Sequence, residues 1–501
     1  LNQSAIIEAA LATGAGAIHP GYGFLAENDG FASAVIAAGL AWIGPPPDVV
    51  RAVGDKIEAR RIAEAAAVPV VPGITEAVTE RAAVATFGAE HGYPIAIKAA
   101  AGGGGRGLKV ARNEDEIEDA LASARREAQA YFSDGAVYLE KYLADPKHLE
   151  VQILAPRGAS ALWLGVRDCS FQRRHQKLIE ETPPPLFPDI VPDMGRAAVA
   201  LATACGYEGA GTAEFLVDAD GNFYFLEINA RLQVEHTVTE EVLGIDLVAC
   251  QLRIASGEPL GFGQQDLDPR GHSIECRINA EDPARGFLPT PGRLTHYVEP
   301  AGLGVRVDSG FGHGDEIPGA YDSLIAKLIA TAPTREEARI KMLRSLKEME
   351  VEGVSTTIPA HLLLLETDVF KDGTHTTLSI EGQGLLDVLV EDGSAGDAEL
   401  QDVLLVQGRP VRFWNPSMAP SASAATRAGG GAGDLVAPMH GTIVKVMVSE
   451  GAQVEAGDTI AVLEAMKMET PIAAPRAGTV KELFVTAGET VEAGTTVALV
   501  E

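Results

Sequence analysis

The feature that most constrains the fold of this 501-residue chain is an internal repeat at its carboxyl end. Ala437–Glu464 reads APMHGTIVKVMVSEGAQVEAGDTIAVLE, and Ala474–Glu501 reads APRAGTVKELFVTAGETVEAGTTVALVE. The two segments align without a gap and share AP, GT, VEAG and a closing T, A and E. Each alternates short β-branched runs with turn glycines (Gly441, Gly451, Gly457; Gly478, Gly488, Gly494), which is a pattern of short strands. Neither half can bury a core alone, so the repeat predicts two related halves facing each other. Between them lies AMKMETPIA, which puts Lys467 at a hairpin tip near the hinge of the pseudo-symmetry. For a lone lysine, the plain alternative is a turn residue facing water.

Upstream, Pro416–Gly433 reads PSMAPSASAATRAGGGAG, a composition that cannot bury a core and reads as a flexible linker. An ordered loop is the alternative, though an unusually long one. The length implies three or four domains, and 46% hydrophobic with 22% charged residues describes globular protein. No apolar run approaches the roughly 20 residues of a membrane helix. Leu1–Ala12 lacks the basic start and unbroken apolar stretch of a signal peptide. A net charge of −30 argues against nucleic-acid binding. The scattered Cys169, Cys205, Cys250 and Cys276 read as reduced thiols of a cytoplasmic protein. Leu1 stands directly inside a helical pattern, so the sequence is expected to be a piece of a longer chain.

Gly211–Glu240 carries the richest chemistry. Two strand-like runs flank Asp218-Ala-Asp-Gly221, a turn sequence. A four-residue loop at Ala219–Asn222 would make Glu214 and Glu227 direct cross-strand neighbours. Like charges so placed are destabilising unless neutralised. Hard oxygen ligands suit magnesium or manganese; the alternative is a pair splayed into water. A period of two then places Glu227, Asn229, Arg231, Gln233 and Glu235 on one face, with Ile228, Ala230, Leu232 and Val234 on the other. Metal-type ligands, a guanidinium able to grip a planar anion, and a further carboxylate follow in order.

Two weaker signals accompany it. Tyr93–Ala100 and Leu108–Ala111 read as strands around Gly102-Gly-Gly-Gly-Arg-Gly107, a loop whose backbone could approach phosphate oxygens closely. It is not a Walker loop, and a mobile turn fits equally. Lys98 adds a cation before it. In Asp168–Glu181, Arg173, Arg174, His175 and Lys177 form a local basic cluster, either steering anions or paired with surface acids.

These residues resemble the biotin carboxylase family, of the ATP-grasp fold, across Leu1–Leu385. The matching stretches are HPGYGFLAEN (19–28), GDK (54–56), IKAAAGGGGRG (97–107), EKYL (140–143), RDCSFQRRHQK (167–177), FLEINARLQVEH (225–236), ECRINAEDP (275–283) and YDSLIAKL (321–328). Glu464-Ala-Met-Lys-Met468 resembles the biotin attachment motif of biotinyl carrier domains. Together the two are similar to the α subunit of acetyl-, propionyl- or methylcrotonyl-CoA carboxylases, enzymes of fatty-acid metabolism. The carrying subunit of a two-subunit pyruvate carboxylase is the alternative.

The resemblance implies an α/β and α+β ATP-grasp carboxylase with an all-β biotinyl domain, a flattened barrel or sandwich. Its divisions would be an incomplete N-terminal domain (1–55), the ATP-grasp domain (56–260), a C-terminal carboxylase domain (261–385), a linker (386–433) and the carrier (434–501). Lys56, Lys98 and Gly102, Gly103, Gly104 and Gly105 would contact ATP phosphates. Glu140 and Leu143 would lie at the adenine hinge, with His148, Gln172 and His175 near the nucleotide. Glu214, Glu227 and Asn229 would hold Mg2+ or Mn2+; Arg231, Gln233 and Val234 would bind bicarbonate, with Glu235 as its base and Lys177 at the reacting centre. Arg306 would stabilise the enolate-like ureido group of biotin. ATP and bicarbonate would form carboxyphosphate, which carboxylates biotin on Lys467. The implied partners are a carboxyltransferase β subunit and biotin protein ligase, in an oligomer. Ala230 stands where the family usually has Thr, and Thr237 where it usually has Pro. The family's opening strand and helix are not present before Leu1.

Overall fold

The computed structural model describes residues 1–501 apart from 75–76, 100–107, 133–135, 392–401, 407–408, 414–433, 438–440, 466–467, 493 and 501. Its organising element is an eight-stranded sheet of antiparallel neighbours. In spatial order the strands are Phe223–Asn229, Gly209–Val217, Lys147–Ala155, Leu162–Arg173, Gln176–Thr182, His272–Asn279, Leu324–Ala332 and Val305–Ser309. The sheet therefore runs without a break from strands of residues 147–229 into strands of residues 272–332.

Strand periodicity sorts this sheet's faces by chemistry. In Lys147–Ala155, Leu149, Val151 and Ile153 enter an apolar core with Ala213, Phe215, Val217 and Ile228. The alternate residues His148, Glu150 and Gln152 point the other way, although all are buried. Helix Val191–Cys205 covers the apolar face through Met194, Ala198 and Leu201. Gly195 lets it approach, because a Cβ there would meet the Trp163 ring at 2.3 Å. In His272–Asn279 the same alternation sends Ile274, Cys276 and Ile278 into a second core and Glu275 and Arg277 to the polar face. That second core also buries Leu386, with Leu389 of helix Asp387–Glu391 against it. It thus extends beyond the boundary at 385 expected from the sequence.

A smaller sheet orders Gly73–Ile74, Val137–Lys141, Ile95–Ala99 and Leu108–Ala111. Asp402–Val406 pairs with Arg409–Phe413.

The repeat folds as expected and adds a feature. Gly441–Val446, Gln453–Val454 and Thr459–Ala465 recur in the second half as Gly478–Leu483, Thr490–Val491 and Thr496–Val500. With Asp434–Val436 and Met468–Ala473 they build two four-stranded sheets, and each borrows the short strand of the other half. Gln453–Val454 pairs with Gly478–Leu483, and Thr490–Val491 pairs with Gly441–Val446. Ile443, Leu463, Val480 and Val497 meet in one core between them. All four cysteines are free thiols. None of the described helices is long and apolar enough to cross a membrane.

Candidate active site

The polar face of the large sheet converges on one ammonium. Lys177 Nζ lies 2.6 Å from Glu150 Oε2, 2.7 Å from Glu235 Oε1 and 3.1 Å from Glu214 Oε1. Burial works against its charge, but the three carboxylates outweigh it and hold Lys177 well above the ordinary lysine range. Glu235, fully buried, is correspondingly held well below the carboxylate range: burial opposes ionisation, and Lys177, Arg277 and Arg167 overcome it. Glu214 is lowered in the same way by Lys177 and His148.

Beneath this cluster lies Arg167, with no exposed surface. It donates to Glu150 at 2.6 Å, Gln152 at 2.7 Å, Thr239 at 3.0 Å and Thr212 at 3.1 Å. Arg167→Leu removes the charge and leaves Glu150 short of a partner. Breaking a buried pair from one side costs about 3–5 kcal/mol, so a urea unfolding series should record a loss of that size. A variant as stable as the parent would show that Arg167 merely fills space.

Glu214 and Glu227 stand directly opposite each other, as expected, but by a different route. The loop is five residues, Asp218–Asn222, closed by the Asp218 N–H on the Asn222 carbonyl at 3.0 Å. A bulge at Leu226 absorbs the extra residue and restores the register. Burial and then the Glu214 charge push Glu227 up. Asn229 Nδ2 donates to Glu214 Oε1 at 2.8 Å, and His148 Nε2 lies 2.9 Å from Glu214 Oε2 with Gln172 behind it at 3.5 Å. Two opposed carboxylates and an amide form a hard-oxygen donor set that fits a divalent cation.

Beyond Asn229 the chain does not stay extended. The strand ends there and residues 230–235 turn into helix His236–Leu243. The intended side chains still gather, because hydrogen bonds rather than strand period collect them. Arg231 donates to Asn229 Oδ1 at 3.0 Å and to Gln233 Oε1 at 2.9 Å, while Gln233 Nε2 reaches Glu214 at 3.1 Å. Glu27, from the N-terminal segment, accepts from Arg231 Nε at 2.9 Å and from the Ala230 N–H at 3.0 Å. Lys327 donates to the Val234 carbonyl at 2.9 Å, and Arg277 reaches Glu235 Oε2 at 2.9 Å.

The residues expected at the nucleotide are less concentrated. Lys98 pairs with Glu140, which Arg60 also approaches at 3.4 Å. Leu143 is buried, while Lys56 opens helix Lys56–Ala65 as an exposed residue. Gly102, Gly103, Gly104 and Gly105 lie outside the described residues. The basic cluster is not one patch. Lys177 is drawn into the site, Arg173 lies over the Phe287 ring, Arg174 faces Glu381 at 3.7 Å, and His175 is exposed at the hairpin tip. Local sequence proximity fails here because a tight turn at Arg174–His175 sends neighbours to opposite sides.

Arg306 borders an open cleft of about 720 Å³ with His19, Tyr22, His236, Glu240 and Lys327. Asp308 accepts two of its hydrogen bonds, at 2.8 and 2.9 Å, and Glu240 a third at 2.9 Å. In the carrier, Ala465 pairs with Met468, and the intervening Met466 and Lys467 lie outside the described residues.

Sequence reasoning missed Glu27, Glu150, Arg167, Arg277 and Lys327. A usable signal existed for Glu150: charged and amide residues interrupt Leu149-Glu-Val-Gln-Ile153, which otherwise reads as a fully buried strand.

Four family models match the chain in series. They are the biotin carboxylase N-terminal domain over 1–50, the carbamoyl-phosphate synthase L chain ATP-binding domain over 55–262, the biotin carboxylase C-terminal domain over 275–382, and the biotin-requiring enzyme domain over 433–500. The chain is 44% identical to the biotin-dependent acyl-coenzyme A carboxylase alpha3 subunit of Mycobacterium leprae, covering 94% of this chain and 84% of that one. It is 50% identical to the biotin carboxylase of Haemophilus influenzae, covering 74% and 83% respectively. Among solved structures, the biotin carboxylase domain dimer of the Hydrogenobacter thermophilus 2-oxoglutarate carboxylase, with MgADP, ADP and bicarbonate, superposes with a TM-score of 0.70 at 45% identity, covering 77% and 85%. A complex of the biotin carboxylase of Campylobacter jejuni gives a TM-score of 0.70 at 44% identity, covering 75% and 84%. The chain belongs to the biotin carboxylase family of ATP-dependent ligases and carries a biotin-requiring domain on the same polypeptide.

Proposed function

We propose that the chain uses ATP and bicarbonate to carboxylate biotin held on its own Lys467, as the α subunit of a cytoplasmic acyl-CoA carboxylase. The observation that carries this reading is the meeting of Lys177, Glu235, Arg231 and the Glu214–Glu227 pair on one buried face, in a chain that also folds a carrier. The M. leprae relative, aligned through both parts, supports the acyl-CoA class.

In this reading Arg231 and Gln233 grip bicarbonate beside the Val234 backbone, and Glu235 accepts its proton. Lys177 steadies negative charge passing between bicarbonate and the transferred phosphoryl group. Lys56, Lys98, the 102–105 glycines and His175 meet phosphates, while Glu140, Leu143, His148 and Gln172 frame the nucleotide. A cation on Glu214, Glu227 and Asn229 supplies charge neutralisation for phosphate oxygens. Arg306 orients the ureido oxygen of biotin. The domain divisions follow the residue ranges given above, except that the C-terminal carboxylase domain includes Leu386–Glu391, and the shortened linker keeps Lys467 at high effective concentration. The partners are a carboxyltransferase, a biotin protein ligase and further copies of the chain.

The test is transfer from labelled bicarbonate. The purified chain with ATP should fix label on itself, and should pass it to acyl-CoA only when a carboxyltransferase subunit is added. Candidate partners are scored across acyl-CoA lengths, with pyruvate in parallel. Label passing to pyruvate and to no acyl-CoA would overturn the substrate class. Label in acyl-CoA from the chain alone would overturn the division of labour.

A further inference from the structure

Glu180 and Glu275 stand directly opposite each other where strands Gln176–Thr182 and His272–Asn279 pair. Neither has any exposed surface. One oxygen of each is held: Glu180 Oε1 accepts from Arg277 Nε at 2.6 Å, and Glu275 Oε2 accepts from the Thr237 hydroxyl. Among the described residues, no donor reaches Glu180 Oε2 or Glu275 Oε1. Opposed like charges on one sheet face repel, and buried polar oxygens without donors are costly. A single proton relieves both problems, since it removes one charge and supplies a donor.

The surroundings do not remove that need. The cations facing the pair are Arg277, Lys177 and Lys327, and the first two face Glu235 as well. Cys276 and Tyr22 are the other titratable neighbours, and burial pushes both upward and keeps them neutral. Arg277 is shared: Nε and Nη2 lie 2.6 and 2.5 Å from Glu180 Oε1, and Nη2 also lies 2.9 Å from Glu235 Oε2.

We propose that Glu180 and Glu275 hold one proton between them and act, through Arg277, as positioning residues for Glu235. With one proton on the pair, Arg277 spans Glu180 and Glu235. With none, a doubly charged pair competes for the guanidinium and releases that side of Glu235. Thr237 completes the arrangement with a hydroxyl that the family's usual proline could not offer. Burial pushes Glu180 up to about 8 against the pull of Arg277, and raises Glu275 as well. The link to Glu235 rests on the role proposed above for that carboxylate; the shared proton does not.

Thermal denaturation of the full chain between about pH 6 and about pH 9 tests the proton, with Glu275→Gln beside the parent. A carboxyl whose folded pKa is raised contributes stability that is complete below its unfolded value of about 4.3 and is lost as pH rises through about 8. Glutamine copies a protonated glutamate and cannot take the second charge. The Tm of the variant should therefore gain on the parent as pH rises to about 8 and hold that gain above it. A constant gap, or a variant already unfolded near pH 7, would overturn the shared proton. The second arm is the pH profile of bicarbonate-dependent ATP cleavage. Its alkaline limb should move up by about one pH unit or more in the variant, with the KM for ATP unchanged. A widening Tm gap with an unmoved limb would overturn the coupling through Arg277. Near-normal turnover in Glu235→Gln would instead locate the failure in the base assignment.

Discussion

Glu235→Gln is expected to lower bicarbonate-dependent ATP cleavage by ~10²–10⁴-fold, the usual cost of losing a general base, while nucleotide binding survives. The substitution keeps the shape of the side chain and removes its basicity. Its two oxygens have separate holders, Lys177 at 2.7 Å and Arg277 at 2.9 Å. The amide nitrogen must face one of these cations, so one contact loosens as well. Both cations hold the Glu235 carboxyl well below its ordinary value. Such a group is ionised above its unfolded pKa, and its contribution is lost only as pH falls through the depressed folded value. Glu235 therefore gives no acid limb near neutrality, and the profile of kcat/KM should be flat on that side. A carboxylate so strongly stabilised is also a weak base, and Lys177 offers the remedy. This ammonium is shared by Glu150, Glu214 and Glu235, so an anionic substrate that draws it away raises the proton affinity of Glu235. Turnover within a few-fold of the parent, measured as bicarbonate-dependent phosphate release, would remove Glu235 from the mechanism.

The sequence was most legible where pattern and contact are local. The carrier repeat predicted two facing halves because paired strands lie within one short segment, although the exchange of Gln453–Val454 and Thr490–Val491 between sheets leaves no mark in composition. The Glu214–Glu227 register was reached with a loop one residue too short, and the Leu226 bulge made up the difference. Strand period extended past Asn229 named side chains that do gather, but for a reason that does not operate there, since Arg231, Gln233 and Glu235 are gathered by a turn. The buried partners were illegible. Arg277 meets Glu235 across 42 positions of sequence, and Glu27 meets Arg231 across 204. Pairing at that range is set by sheet order, and no periodicity within either segment encodes it. Charge proximity misled for the converse reason: Arg173, Arg174, His175 and Lys177 are adjacent in sequence and separated by a hairpin tip.

The complementary expectation is that Lys467→Arg abolishes biotin attachment outright. Ala465 ends one strand and Met468, its partner, opens the next, so only Met466 and Lys467 connect them. The other carrier lysines, Lys445 and Lys481, belong to strands Gly441–Val446 and Gly478–Leu483, each inside a sheet rather than between paired ends. A ligase forming an amide needs a deprotonated amine. Arginine keeps the charge but has a pKa above about 12 and offers no such nitrogen. The substitution keeps a long, cationic side chain, so the carrier core of Ile443, Leu463, Val480 and Val497 is expected to persist. Streptavidin should detect the parent and not the variant, and labelled bicarbonate should no longer be fixed on the chain. Comparison with Glu235→Gln separates the two roles. That variant keeps the streptavidin signal and fixes little label, since its carrier is intact and its base is not. Lys467→Arg loses both signals with the carboxylase cluster around Lys177 unaltered. Persistent streptavidin labelling of Lys467→Arg would move the attachment site to another lysine, and the hinge of the repeat would then be a turn without chemistry.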